Sequence, residues 1–365
     1  MMKKKQINLS YESILDPSKI IYVYNKIKKK TKYKHKLIKY DMFLSCNISY
    51  IIETLKNREY KHNYYNVFLI TKPKPRIIMS ENLHDKIINH LFSEYILLPL
   101  IEPKLICANV ATRKDKGTKM GIYYMKKYLN IMKQKYNNFY ILKCDIKKFF
   151  YSIDHRILLN KLNKYIKDKD VLNILEEIIN STNHEYINNN IQKIKDRFIK
   201  DIKYKNITLK EKEMLIKSIS SIPNYSYNKG LPIGNVSSQI FAIFYLNDLD
   251  HFIKEKLKIK YYIRYMDDFV LFHYDKNYLK YCYGEINKFV KGEELVINKK
   301  TQIIPIKNGI NFLGYRFLIN NNKVYITMSS YNKRKIKKCN AISNYGGYIK
   351  YLSKNKFYLN KRCYN

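Results

Sequence analysis

The sequence predicts an α+β fold, an antiparallel sheet backed by helices. Three observations point there. Residues 261–272 have the pattern of a β-hairpin with Asp267-Asp268 at its tip. Residues 139–146 form an apolar run that reads as a buried strand ending in an acid, Asp145. Elsewhere helical spacing prevails: Leu83, Ile87, Ile88, Leu91, Phe92, Tyr95 and Ile96 fall on one helix face.

Taken in order, residues 1–60 are Lys- and Tyr-rich with scattered apolar positions, which predicts a basic helical N-terminal extension. Thr71-Lys72-Pro73-Lys74-Pro75-Arg76 is a turn or extended arm, because two prolines block a helix there. The helix over 83–98 is closed by Pro99. Residues 111–117 make a polar loop and 120–132 a helix. After the strand, helical material runs to about 180. The Asn-, Lys- and Ser-rich stretch 181–229 is expected to hold an insertion or mobile connection. A long helix over 237–258 opens at the Gly234-Asn235 turn, and another covers 279–290. Residues 302–318 hold two short strands joined by Lys307-Asn308-Gly309. The remaining residues to 365 are basic, with a helix expected around 348–353.

At 365 residues the chain has room for two or three structural units, and 46% hydrophobic residues suffice for a core. Lys and Arg total 70 against 30 Asp and Glu, a net charge of +40. A small-molecule enzyme has no need of that excess, whereas a polyanion partner explains it through counterion release. Part of it also follows from AT-rich codons, which favour Lys, Asn, Ile and Tyr. Cysteines 46, 107, 144, 282, 339 and 363 form no metal-binding or paired spacing, so they read as reduced thiols of a cytoplasmic protein. The basic residues Lys3 to Lys5 precede no apolar run, which argues against a signal peptide. Residues 95–106 are broken by Pro99, Glu102 and Pro103, so no membrane span is expected.

Asp145, Asp267 and Asp268 carry the chemistry. Adjacent carboxylates repel, and an apolar frame raises their cost further unless a cation is present. A strand-end acid beside a hairpin-tip pair makes a hard-oxygen set suited to Mg²⁺. The plainer alternative is a pair of turn aspartates.

Here the sequence resembles the reverse transcriptases. Tyr265-Met266-Asp267-Asp268 matches that family's Tyr-x-Asp-Asp hairpin. The run Asp145-Ile146-Lys147-Lys148-Phe149-Phe150 resembles its first acidic motif. Arg76-Ile77-Ile78-Met79-Ser80 and residues 111–117 resemble its basic fingers segments, and Asn311-Phe312-Leu313-Gly314-Tyr315 its primer grip. The motifs occur in the family's order across residues 70–317. The resemblance implies a right-hand polymerase: fingers and palm over 61–317 and a short basic thumb over 318–365. Asp145, with neighbouring Ile146, Asp267 and Asp268 would hold two Mg²⁺ ions. Arg76 and Arg113 would hold the triphosphate, their guanidinium forks suiting phosphate oxygens. Phe150 would be the steric gate against a 2′-hydroxyl, and Phe312, Leu313 and Gly314 would form the primer grip.

The segment Ile233-Gly234-Asn235-Val236-Ser237-Ser238-Gln239 indicates a branch. Most of the family carries Gln-Gly-x-x-x-Ser-Pro here; this chain has Ile for the Gln and Gln for the Pro. That departure resembles the reverse transcriptases of diversity-generating retroelements, in which it is linked to error-prone copying of template adenines. The resemblance makes Gly234, Ser238 and Gln239 nucleotide-binding positions, and Ile233 and Gln239 fidelity positions. A Gln side chain donates and accepts hydrogen bonds beside a nascent pair; Ile does neither. Ser343-Asn344-Tyr345-Gly346-Gly347-Tyr348 resembles the same branch's thumb. Implied partners are a template RNA, the RNA–DNA duplex, dNTPs and a small basic accessory protein. Alternatives are an antiphage-defence or retron-like reverse transcriptase, a catalytically idle RNA-binding protein of the same fold, and an RNA-dependent RNA polymerase, which Phe150 disfavours.

Overall fold

The structure, a computed structural model, describes residues 11–31, 35–71, 74–320, 323–330 and 332. The helix expected around 348–353 and the thumb-like segment from Ser343 lie outside these residues. The chain divides into two compact units. One is drawn from 1–105, 148–247 and 293–295, the other from 106–147, 248–292 and 296–365.

The first unit is mainly helical. Helices Pro17–Lys30, His35–Met42 and Leu44–Lys56 fall in the predicted N-terminal helical stretch. The first starts where Asp16 accepts the Ser18 N–H at 2.8 Å, with Pro17 in the first turn, where its missing N–H costs nothing. Strands β1 (Asn66–Ile70) and β2 (Arg76–Ser80) form an antiparallel hairpin. Helix Leu83–Phe92 follows, capped by Asn82, and runs through a wider π turn at Ser93–Leu97 into Leu98–Ile101.

The stretch 181–229, expected to hold an insertion or mobile connection, is largely helical. Helices Glu185–Ile202 and Leu209–Ser220 occupy most of it. Ile187, Ile191, Ile202 and Ile219 pack with Leu69, Ile77 and Met79 of the β1–β2 hairpin. A capping box between Thr208 and Glu211 starts the second helix. The polar composition of this stretch masked an apolar stripe at helical spacing.

The second unit holds two antiparallel sheets. In the four-stranded sheet the order is β4-β5-β3-β6, with β3 Tyr140–Cys144, β4 Tyr261–Tyr265, β5 Asp268–His273 and β6 Gln302–Pro305. The second sheet runs β7-β8-β9: Ile310–Phe312, Tyr315–Asn320 and Lys323–Met328. Helix Lys276–Gly292 packs on the four-stranded sheet, and helix Thr118–Lys135 packs on β4, β5 and β9. Ile122, Met125 and Leu129 join Ile141, Ile263, Val270, Phe312 and Phe317 in one core.

Two expectations change. Residues 302–318 contain three strands, not two. A 3₁₀ turn at Ile306–Asn308 and Gly309, at φ 65°, carry the chain out of one sheet and into the other. The helix expected over 237–258 stops at Tyr245 and restarts at Asn247, so that Asp250 turns fully inward. Among the described residues no helix is long and apolar enough to cross a membrane.

Candidate active site

The acids of interest lie at one end of the four-stranded sheet. β3 pairs on both edges, and its last residue, Cys144, is buried opposite Phe269. One further step brings Asp145 beside Asp268, the first residue of β5. Asn298 fixes Asp145 twice: its N–H donates to the Asp145 main-chain oxygen and its Nδ2 to Oδ2, each at 2.7 Å. Ile146 is buried and bridged to Ile297, so only its backbone has ligand atoms to offer.

Tyr265 pairs with Asp268, which leaves Met266 and Asp267 as a two-residue turn. Met266 sits at φ 56°, a left-handed conformation that costs a side-chain-bearing residue roughly 1–2 kcal/mol. A buried network holds it there. Arg264 donates from one terminal nitrogen to the Met266 carbonyl at 3.0 Å. The same guanidinium forks onto Asp250, at 2.7 Å from Nε and 2.5 Å from the other terminal nitrogen. The Tyr262 hydroxyl donates to Asp250 at 2.7 Å. Neither Arg264 nor Asp250 has any exposed side-chain surface.

Asp268 is less well satisfied. Lys143 Nζ lies 3.3 Å from its Oδ2, while Oδ1 is buried and has no hydrogen-bond partner among the described residues. Burial pushes this carboxyl up to about 6; Lys143 opposes the shift and the neighbouring Asp145 charge adds to it. Burial, with the Asp268 charge beside it, also raises the Cys144 thiol, which makes that cysteine inert. Among the described residues no three Asp, Glu, His or Cys side chains converge as a closed metal cage. What is present is a pair of neighbouring carboxylates with one orphaned oxygen, and Asp267 next in chain. Such oxygens fit a hard divalent cation, which would relieve the cost of burying them.

Arg113 donates to the carbonyls of Ile106 at 2.7 Å and Asn109 at 3.0 Å, so it braces its own loop. Phe312 is buried in the core. Leu313 and Gly314, at φ 49° and 84°, form the two-residue turn between β7 and β8.

The other expected site residues lie in the first unit. Arg76 is exposed at the start of β2. Phe150 is half-buried in the single helical turn Phe149–Ser152, and its carbonyl accepts the Leu231 N–H at 2.7 Å. The Ile233 carbonyl accepts the Met79 N–H at 2.9 Å. Gly234, at φ 137°, brings its backbone so close that a Cβ would lie 2.7 Å from the Met79 oxygen. This unit thus gathers Phe150, Ile233 and Gly234 around backbone bonds to neighbouring segments. Gln239 is exposed, whereas Ser238 is 1% exposed, turned into the core by the helical step that leaves Gln239 outside.

Sequence reading missed Lys143, Asn298, Asp250 and Arg264. The signals for Lys143 and Arg264 were single cations inside otherwise apolar strands, where a charge needs a partner. Asn298 gave no signal.

The family model described as Reverse transcriptase (RNA-dependent DNA polymerase) matches residues 27–317. A COX1/OXI3 intron 2 protein of Saccharomyces cerevisiae is 29% identical over 205 residues, 50% of this chain and 24% of that protein. The periplasmic chaperone PpiD of Buchnera aphidicola is 31% identical over 176 residues, 45% of this chain and 26% of that protein. The chain therefore spans about a quarter of the length of these curated relatives, which differ in kind from one another. Apo telomerase from Candida tropicalis is similar at TM-score 0.47 and 14% identity, over 73% of this chain and 55% of that one. With well over half of its residues under the family model, the chain belongs to the reverse transcriptase (RNA-dependent DNA polymerase) family.

Proposed function

We propose that the chain is an RNA-directed DNA polymerase that extends a primer on an RNA template, with Asp145, Asp267 and Asp268 as its catalytic acids. The observation that carries this reading is the β3–β5 register, which ends at Cys144–Phe269 and so brings Asp145 beside an Asp268 that lacks full compensation. Two bound Mg²⁺ ions would supply activation of the primer 3′-hydroxyl and neutralisation of the leaving pyrophosphate. Asp145, the Ile146 backbone, Asp267 and Asp268 are the residues that would hold them.

The chain's own groups do the positioning. Asn298 fixes the Asp145 carboxylate, and Arg264 holds the Met266 turn that presents Asp267. Phe150 is proposed to exclude ribonucleotides by filling the space of a 2′-hydroxyl. Arg76 and Arg113 would hold the triphosphate; Arg113 would have to release its loop carbonyls to do so. Gly234, Ser238 and Gln239 are proposed as nucleotide-binding positions, Ser238 from beneath the surface. Phe312, Leu313 and Gly314 would seat the primer end. The +40 charge suits template RNA and an RNA–DNA duplex.

The finer reading is a polymerase of the diversity-generating type, error-prone at template adenines and working with a small basic accessory protein. It rests on Ile233 and Gln239. Primer extension on RNA with Mg²⁺ tests both levels. The unmodified chain should extend and Asp267→Ala should not; retained extension in Asp267→Ala would remove the acids from the chemistry. Ile233→Gln should lower adenine misincorporation. An unchanged error spectrum would favour the defence or retron-like reading instead. The idle RNA-binding alternative draws on the Lys143–Asp268 ion pair, which already gives that acid a cation. It requires that the unmodified chain bind RNA without extending a primer.

A further inference from the structure

Lys143 stands two residues before Asp145 on the interior strand β3, opposite Val270 on one side and Gln302 on the other. Asp268 lies two residues from Val270, so Lys143 and Asp268 share a sheet face as a diagonal pair. Among the described residues the ammonium has three partners. It lies 3.3 Å from Asp268 Oδ2, donates to the Asn311 carbonyl at 2.8 Å, and sits 5.8 Å from the centre of the Phe312 ring. Only about a quarter of either charged side chain is exposed. The strand is bonded along both edges, so the lysine stem has a fixed root.

We infer that Lys143 is a built-in counter-ion that competes with divalent metal for Asp268 and yields to it. This rests on the reading of Asp145, Asp267 and Asp268 as metal ligands. An ammonium engages one carboxylate oxygen and leaves Oδ1 orphaned, so its compensation is partial. A divalent ion brings twice the charge to the same oxygens and repels the ammonium as it arrives. Lys143 need not leave the site when displaced. The Asn311 carbonyl and the Phe312 ring still hold it, and both belong to the hairpin proposed to seat the primer. Lys143 would thus be a positioning residue that links metal occupancy to that hairpin. An ordinary surface ion pair would instead contribute little and leave metal affinity unmoved.

The experiment is Mn²⁺ titration of the full chain without nucleic acid, with free Mn²⁺ read by electron paramagnetic resonance. Lys143→Met should bind Mn²⁺ roughly five- to tenfold more tightly, the effect of one neighbouring charge in a half-buried setting. Lys143→Arg should bind as the unmodified chain does. Without metal, Lys143→Met should melt lower and recover on adding Mn²⁺. Lys143→Gln keeps a donor for Asn311 without the charge and should shift affinity the same way; it is the variant to read if the methionine form does not fold. Equal or weaker Mn²⁺ binding in the neutral variants, with Asp268→Asn abolishing binding, overturns the counter-ion role alone. Absence of Mn²⁺ binding in the unmodified chain overturns the metal reading of the acids, and this inference with it.

Discussion

Two aspartates meet the β4–β5 hairpin from opposite faces and are treated in opposite ways. Asp250 is wholly buried, takes two charge-assisted bonds from Arg264 and one from the Tyr262 hydroxyl, and has no oxygen left over. Asp268, on the other face, has one lysine on one oxygen and, among the described residues, nothing on the other. The fold completes the first acid and leaves the second unfinished. Burial alone therefore does not separate a structural carboxylate from one open to a ligand; saturation of its oxygens does.

Glu81, in the first unit, extends the comparison. It is buried, and burial raises its carboxyl. It nevertheless accepts from Asn235 at 2.5 Å and from Asn89, and His62 stands 3.9 Å away. All three contacts fall on Oε1, so Glu81 stands between the two cases, with one oxygen saturated. It anchors Asn235, the residue after Gly234, and so steadies the Ile233 segment.

Three substitutions would break or sharpen this contrast. The largest effect belongs to Arg264→Met, which strands Asp250 as a buried unpaired charge and frees the Met266 carbonyl. A loss of about 3–5 kcal/mol is expected in urea unfolding, with primer extension lost as well. A loss under about 1 kcal/mol would mean that Asp250 is not held as a buried charge. Next is Glu81→Leu, which leaves the Asn89 and Asn235 amides short of an acceptor. It should cost about 2 kcal/mol, read by thermal melting, without altering Mn²⁺ binding. An unchanged melting temperature would show that the network adds nothing.

The smallest effect has the opposite sign. Asp268 holds its proton more tightly in the fold, at about 6 against the ordinary 3.8, so ionising it costs the folded state. That cost is fully present above about pH 6, fades as pH falls from there towards 3.8, and is gone below it. Asp268→Asn, in the presence of a chelator, should therefore stabilise the chain at pH 7.5 by on the order of 1 kcal/mol, and by nothing near pH 3.5. Lys143 keeps the Asn311 carbonyl in that variant. Destabilisation at pH 7.5 would place Asp268 with Asp250 among the structural acids.

Much of the sheet was legible because strand signals are local. The apolar run before Asp145 and the hairpin around Met266-Asp267 appear within a residue or two of the expected places. The helical hairpin at 185–220 was hidden by Asn and Lys on its exposed faces, and the division of residues 302–318 between two sheets was hidden because strand pairing is non-local. Ser238 and Gln239 are adjacent in sequence, and the helix sends one inward and the other out.

By itself the sequence determined the charge balance, the helix and strand periods, and the types of side chain available at Asp145, Asp267, Asp268 and Ile233. Tertiary structure decided which of those groups would be satisfied: Asp250 by Arg264, Asp145 by Asn298, and Asp268 only in part by Lys143. The physical reason is that hydrogen bonds and ion pairs are short-ranged, so a partner distant in sequence is set only once strands are in register and helices have packed.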